Sequence, residues 1–246
     1  MGQASPAESP VDVSVVIPAY NEEESIAACL DEVAGVMRGT GLSFEVVVVD
    51  DGSRDRTLAI LKERKASLPE LAVIALAGNH GQTAAWEAGF RHARGEVFVT
   101  MDADLQNDPA DIPRLLELID RWDVVCGYRR KRRDSIVRRI SSRVANWVRN
   151  KVTGERIRDV GCSLRAIRAP YARRLKLFNG MHRFLPTLLR YDGATVTEVP
   201  VNHRPRRWGA TKYGIGNRLW RAIRDLLAVR WMRSRWIRYE IRERIR

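Results

Sequence analysis

An α/β fold, a parallel sheet with helices over both faces, is what the sequence predicts, and two observations carry that prediction. The first half of the 246-residue chain runs strand then helix four times over, short apolar runs alternating with stretches of helical periodicity. The apolar runs are also nearly unbroken, as in EVVVVD and EVFVT, where a half-exposed strand would alternate apolar with polar. Strands of that composition need cover on both faces, which is the habit of parallel sheets.

The elements follow in order. VSVVIPAY (13–20) is the first strand. In the NEEESIAACLDEVAGVM that follows, Ile26, Leu30, Val33 and Met37 fall at helical spacing, and the acidic cluster sits at the favourable N-terminal end. FEVVVVDDGS (44–53) repeats the arrangement, strand then carboxylates and glycine, with a helix over about 55–66. LAVIALA (71–77) is a third strand and QTAAWEAGFRHA (82–93) a third helix. GEVFVTMDAD (95–104) is a fourth strand, Pro109 to Ile119 a helix, and DVVCG (123–127) a fifth strand. Beyond it, 129–152 carries Ile136, Ile140, Val144, Trp147 and Val148 on one helical face with arginines on the other. VGCSLRAI (160–167) and ATVTEVPV (194–201) read as strands. From Ile215, one or two basic amphipathic helices carry Leu219, Trp220, Ile223, Leu227, Trp231, Met232, Trp236 and Ile237, a pattern open to a core, a protein partner or a lipid surface.

Composition narrows the partners. A hydrophobic share of 45% supports a real core, while residues 1–10 have little to bury and read as a disordered lead. That lead lacks a basic start and an apolar stretch, so no signal peptide is expected, and no apolar window reaches the length of a transmembrane helix. Cys29, Cys126 and Cys162 are scattered without metal-type spacing, which suits a reduced cytoplasmic compartment. The net charge of +13 divides into −12 over residues 1–120 and +25 over 121–246, so the second half expects an anionic partner. His80, His92, His182 and His203 are scattered and read as structural, His203 alone lying beside a candidate motif.

In parallel sheets ligands bind at the carboxyl ends of the strands. Tyr20 and Glu22, Asp50 and Asp51, and Asp102 and Asp104 all follow strands there. Neither G-x-G-x-x-G nor a phosphate-binding P-loop occurs, and the first turn, PAYNEEES, is acidic. Carboxylates at a buried strand end call for a cation, and Mg²⁺ or Mn²⁺ binds one or two carboxylates together with substrate phosphates. Asp102 and Asp104 stand two apart, with Gln106 at the next alternate position; Asp50 and Asp51 could equally cap a helix.

IPAYNEEESI, VVVVDDGSRDRT, NHGQTAAWEAGF and MDADLQNDP together resemble the family 2 glycosyltransferases of GT-A fold, most nearly the polyprenyl-phosphate branch of the dolichyl-phosphate mannose synthase type. The resemblance runs from Val13 to about Arg235 and implies a mixed, mostly parallel sheet with a catalytic domain over 11–213 and a basic helical extension over 214–246. It implies nucleotide-sugar contacts at Pro18, Tyr20, Glu22, Asp50, Asp51, Asp102 and Ala103, and metal ligands at Asp104 and Gln106 with Asp102 beside them. Arg129, Arg138 and Ser142 match positions near the acceptor phosphate, and Arg206 and Lys212 the basic pair of R-x-x-G-x-[ST]-K.

The chemistry so implied is inverting transfer of a sugar from a nucleotide-sugar to a polyprenyl or dolichyl phosphate, dependent on Mg²⁺ or Mn²⁺. Asp102, Asp104, Arg129 and Arg138 are its candidate catalytic residues. The nucleophile is an ionised phosphate oxygen, so no strong base is needed and positioned arginines matter more. GDP-mannose is the expected donor, with UDP-glucose, UDP-galacturonate and related donors, or a different acceptor, as alternatives. The basic helices suit peripheral attachment to the cytoplasmic face of an anionic membrane. Specific nucleic-acid binding, which the pI near 10.4 invites, leaves D-x-D-x-Q unexplained.

Overall fold

The computed structural model describes residues 9–129, 147–154, 157–205, 216–237 and 242–243. Its strands are β1 (Val11–Ala19), β2 (Phe44–Asp50), β3 (Leu71–Ala75), β4 (Gly95–Thr100), β5 (Val124–Arg129), β6 (Arg165–Arg168) and β7 (Val196–Val201). They form one seven-stranded sheet in the order β3-β2-β1-β4-β6-β5-β7. β6 runs antiparallel to both its neighbours, and the remaining pairings are parallel.

Successive residues of β1 go to opposite faces, as the strand repeat requires. Val15 and Ile17 join one core with Val46, Val48 and Val99, covered by α1 (Ile26–Arg38), α2 (Thr57–Lys65) and α4 (Ile112–Leu116). Val16 joins the other with Val47, Val49 and Phe98. That face is covered by α3 (Gln82–His92), α6 (Ala169–Arg174), α7 (Leu185–Tyr191) and Val229 of α8 (Gly216–Arg235). Helical residues 147–153 (α5) lie against α8, whose Arg233 Nη1 donates to Thr153 O at 3.1 Å. The doubly covered sheet read from the apolar strands is therefore present.

Several elements differ from expectation. β4 stops at Thr100, whose hydroxyl donates to Ser163 O at 2.6 Å, so Asp102 and Asp104 lie on a turn beyond the strand. The helix expected over 109–119 is a 3₁₀ turn, Pro109–Asp111, followed by the short α4, with prolines opening both. Residues 160–164 remain outside β6 because Asp159 Oδ1 accepts from Gly161 N at 3.1 Å and turns the chain there. α6 and α7 are too short to show a clear helical period in sequence.

A buried acid braces the far edge of the sheet. Glu45 is 2% exposed, and it accepts from Ser14 Oγ (2.6 Å), Arg94 N (2.6 Å) and Arg94 Nε (2.9 Å). At mid-sheet, Gly89 of α3 lies so close to β1 that a Cβ there would sit 2.3 Å from Val16 Cγ1. Gly89→Ala should therefore destabilise the domain by about 1–3 kcal/mol, more than the roughly 1 kcal/mol that alanine returns in helix propensity. Urea unfolding should recover much of the loss in Gly89→Ala/Val16→Ala; an unchanged midpoint in the single variant would disprove the close approach.

Candidate active site

β1 and β2 end side by side, with Ala19 in register with Asp50 and Asp51 N donating to Ala19 O at 2.8 Å. The two loops that follow are stitched together. Asn21 N donates to Ser53 Oγ (2.9 Å), Arg54 N to Asn21 Oδ1 (2.8 Å) and Glu22 N to Thr57 Oγ1 (2.8 Å). Pro18, Tyr20 and Glu22 are half-buried along this edge. Asp51, 3% exposed, accepts from His80 N (2.7 Å) and Gly81 N (2.8 Å) and so fixes the loop that enters α3. Gly52 between them has φ +67°, and a Cβ there would lie 2.5 Å from the Gly78 backbone, so glycine is required.

Helix capping does not account for the acid pair. α2 begins at Thr57, whose N and Oγ1 are bound by Asp55 at 2.9 and 2.5 Å. Asp50 is 1% exposed; its Oδ2 accepts weakly from Ser53 N at 3.3 Å, and its Oδ1 is buried with no partner among the described residues. A buried unpaired acceptor carries a desolvation cost of about 1–3 kcal/mol, which a ligand donor would relieve.

At the end of β4, Asp102 is held from two sides. Gln82 Nε2, at the first residue of α3, donates to Oδ1 at 2.7 Å. Ser163 Oγ lies 2.7 Å from both Asp102 Oδ2 and Asn107 Oδ1, and its single proton serves one at a time. Burial first, and then the charge of Asp104, push the Asp102 carboxyl up to about 6 against the opposing pull of Ser163 and Arg165. The turn between Asp104 and Gln106 puts Leu105 at φ +60°, a left-handed conformation uncommon for leucine, and Gln106 N closes it onto Asp104 Oδ1 at 3.1 Å. Ala103 is buried beneath the turn. Cys29 lies fully buried below the acids, its thiol pushed up to about 12 by burial and then by Glu32, Asp104, Glu22 and Asp102.

Asp102, Asp104 and Gln106 are an all-oxygen donor set, and a bound cation would favour the ionised form of an Asp102 carboxyl that burial, and then Asp104, push up. The set fits Mg²⁺ or Mn²⁺. Among the described residues no group of three or more His, Cys, Asp or Glu side chains is arranged to hold a metal, so the protein would supply part of a shell that phosphate oxygens complete.

The other candidates lie elsewhere. Arg129, at the end of β5, makes a two-pronged pair with Asp159, Nε–Oδ2 2.6 Å and Nη2–Oδ1 2.8 Å. Arg138, Ser142, Arg206 and Lys212 fall outside the described residues. Leading toward Arg206, Asn107 pairs with His203, and Arg204 binds Gln106 O through its N (2.9 Å) and the carboxylates of Glu32 (2.5 Å) and Asp108 (2.8 Å). Gln82, Ser163 and Asn107 are site residues that sequence reasoning did not single out. Gln82 had a signal in its position at the start of a helix following a strand, whereas Ser163 had none.

Ionising Asp102 opposes folding, so stability without metal should fall as pH rises through about 6, and the cost should be absent below about pH 4, where both states are protonated. In EDTA, Asp102→Asn should exceed the wild type by on the order of 1–2 kcal/mol at about pH 8 and lose that advantage at about pH 4. Equal urea midpoints at both pH values would show that Asp102 ionises freely.

A family model for Glycosyl transferase family 2 matches residues 14–175. A dodecaprenyl-phosphate galacturonate synthase of Rhizobium johnstonii is 39% identical over 236 residues, covering 93% of this chain and 69% of that protein. An undecaprenyl-phosphate 4-deoxy-4-formamido-L-arabinose transferase of Edwardsiella ictaluri is 41% identical over 206 residues, 82% of this chain and 63% of that one. The chain thus spans about two thirds of the length of these curated relatives. Among solved structures, glucosyl-3-phosphoglycerate synthase from Mycobacterium tuberculosis, in complex with Mn²⁺ and UDP-glucose, superposes with a TM-score of 0.68 at 19% identity, covering 93% of this chain and 80% of that one. A mannosyltransferase from Pyrobaculum calidifontis, in complex with GDP-Man and Mn²⁺, gives 0.61 at 21%, covering 94% and 66%. The sheet order, its acid-lined edge and the match over residues 14–175 agree, and the chain belongs to glycosyl transferase family 2, with the GT-A fold.

Proposed function

We propose that the protein transfers a sugar from a nucleotide-sugar to a polyprenyl phosphate. The observation that carries this reading is the acid turn at the end of β4, where Asp102 is kept in place by Gln82 and Ser163 yet resists ionisation beside Asp104. The nucleoside is assigned to the edge formed by Pro18, Tyr20, Glu22, Asp50 and Asp51, where the unpartnered Asp50 Oδ1 offers an acceptor. A divalent cation bound by Asp104, Gln106 and Asp102 would supply the charge that neutralises a diphosphate leaving group.

The residues then act by position. An acceptor phosphate oxygen attacks the anomeric carbon from the face opposite the departing diphosphate, giving inversion, and the nucleophile is already ionised. Arg138, Ser142, Arg206 and Lys212 are assigned to that phosphate, on the resemblance of their motifs. Arg129 enters the scheme paired with Asp159, so meeting a phosphate requires it to share or exchange that partner. The relatives quoted above are named for galacturonate and formamido-arabinose, which favours a UDP-sugar donor over GDP-mannose.

A polyprenyl acceptor resides in a membrane, and α8 suits that surface. Its Val229 is buried in the second core, and just beyond its end Trp236 meets Tyr191 edge-on, with ring centroids 5.9 Å apart. On another face Ile223, Leu227 and Trp231, four residues apart, are exposed among Arg224, Arg230 and Arg235. Among the described residues no helix is long and apolar enough to cross a membrane. An open apolar stripe flanked by arginines is what peripheral binding to anionic lipid requires.

Purified protein with Mn²⁺, a short polyprenyl phosphate and a panel of GDP- and UDP-sugars should move label into the organic phase from one donor, and Asp104→Ala should lower that rate by about 100-fold or more while abolishing Mn²⁺-dependent nucleotide binding. Metal-dependent binding that survives in Asp104→Ala would remove Asp104 from the cation. Leu227→Glu/Trp231→Glu should release the protein from anionic liposomes; unchanged co-sedimentation would count against the α8 stripe.

A further inference from the structure

His182 is a half-buried titratable side chain, joined to the start of α3, for which the scheme above has no use. It lies in a 3₁₀ turn, Met181–Phe184, that leads into α7, and it reaches the start of α3 from a distant part of the chain. Gln82 and Thr83 are consecutive there, and they join two different partners. Gln82 Nε2 binds Asp102, while Thr83 Oγ1 lies 2.7 Å from His182 Nδ1. Gly180 N also donates to Thr83 Oγ1, at 3.1 Å. The imidazole meets the ring of Trp86 edge-on, with centroids 6.2 Å apart and an interplanar angle of 84°. Trp86 is 1% exposed and carries the buried Arg165 guanidinium 5.5 Å from its ring centroid.

The ring is thus fixed on one nitrogen and one face. Nδ1 is committed to Thr83, which is only 4% exposed, and Nε2 has no partner among the described residues. Burial, followed by the charges of Arg183 and Arg165, pushes the imidazole down to about 4, so it is neutral at cellular pH. A neutral imidazole is a poor phosphate ligand but a good hydrogen-bond partner for a hydroxyl, which can both give and take a proton. His182 is thereby linked to Asp102 through two consecutive residues of α3, Thr83 and Gln82.

We propose that His182 reads the transferred sugar, making one hydrogen bond to a sugar hydroxyl through Nε2, with Thr83 and Trp86 holding its ring. This rests on the functional reading above and deepens it by naming a specificity-determining residue. Buried polar contacts of this kind discriminate strongly, because a sugar lacking the hydroxyl leaves a desolvated group unpaired.

The test uses the full chain with Mn²⁺ and UDP- and GDP-sugars that differ at single hydroxyls, read both by calorimetric binding and by label transfer. His182→Ala should bind the bare nucleoside diphosphate as the wild type does, within about twofold, yet lose about 10- to 100-fold in kcat/KM for the preferred sugar. Its discrimination between that sugar and the epimer should collapse. His182→Gln, which keeps a neutral donor and acceptor, should restore part of it, and Thr83→Val should fall between. A uniform loss across the panel with discrimination intact overturns the proposal in favour of a structural role, and so does unchanged discrimination. Discriminating binding without transfer to polyprenyl phosphate overturns only the acceptor, and the binding panel still decides for or against His182. A wild-type protein that binds no sugar nucleotide overturns the functional reading and this one together.

Discussion

Like charges at the end of a buried strand repel, and much of the architecture around β4 is arranged to hold them together. Asp102 stays near Asp104 because Gln82 and Ser163 bind its two oxygens, and because the left-handed turn at Leu105 brings Gln106 N onto Asp104. None of these contacts offsets burial and the nearby charge of Asp104, which together raise the Asp102 carboxyl. The fold spends stability on holding these acids together, and functional sites are where such local cost is expected. Asp51 represents the opposite solution at the neighbouring strand end: fully tied to two backbone N–H groups, it builds the scaffold, whereas Asp50 beside it keeps one oxygen unpaired.

How much of this was legible depended on distance along the chain. β1 to β4 and the helices α1 to α3 could be read because apolar runs and helical periods are local signals. The edge that carries Tyr20, Asp50 and the acid turn could be read as well, since parallel strands end together. What escaped were the consequences of long-range pairing. Nothing between residues 160 and 168 announces that β6 inserts, antiparallel, between β4 and β5, and therefore nothing announces that Ser163 meets Asp102 across a separation of 61 residues. His182 likewise reads as an isolated histidine until the turn Met181–Phe184 is placed against Trp86. Short elements such as α4, α6 and α7 do not span enough turns to declare a period.

The basic half of the chain divides its labour by helix face. α8 buries Val229 and leads to Trp236, which meets Tyr191 edge-on, yet Ile223, Leu227 and Trp231 remain exposed. A sequence pattern of Leu, Trp and Ile among arginines can signify core or surface; here one helix does both, which explains why periodicity alone left the two readings open. The tether at Arg204 performs a related service near the acid turn, joining Glu32 of α1, Asp108 and the Gln106 carbonyl to the strand that leaves β7.

The antiparallel β6 also has a bearing on the order in which the protein is made. A nascent chain that has emerged as far as β5 already contains β1 to β4 and the acid turn, but not the hydroxyl of Ser163 or the guanidinium of Arg165, both delivered by the incoming end of β6. Pairing of Thr100 with Arg165 has to wait for a strand synthesised some 60 residues later. Domains acquire such non-local pairings late in folding. During synthesis on a ribosome, then, the acid turn is completed only after the sheet has been closed on its far side, and a truncated product would carry the motif without the groups that organise it.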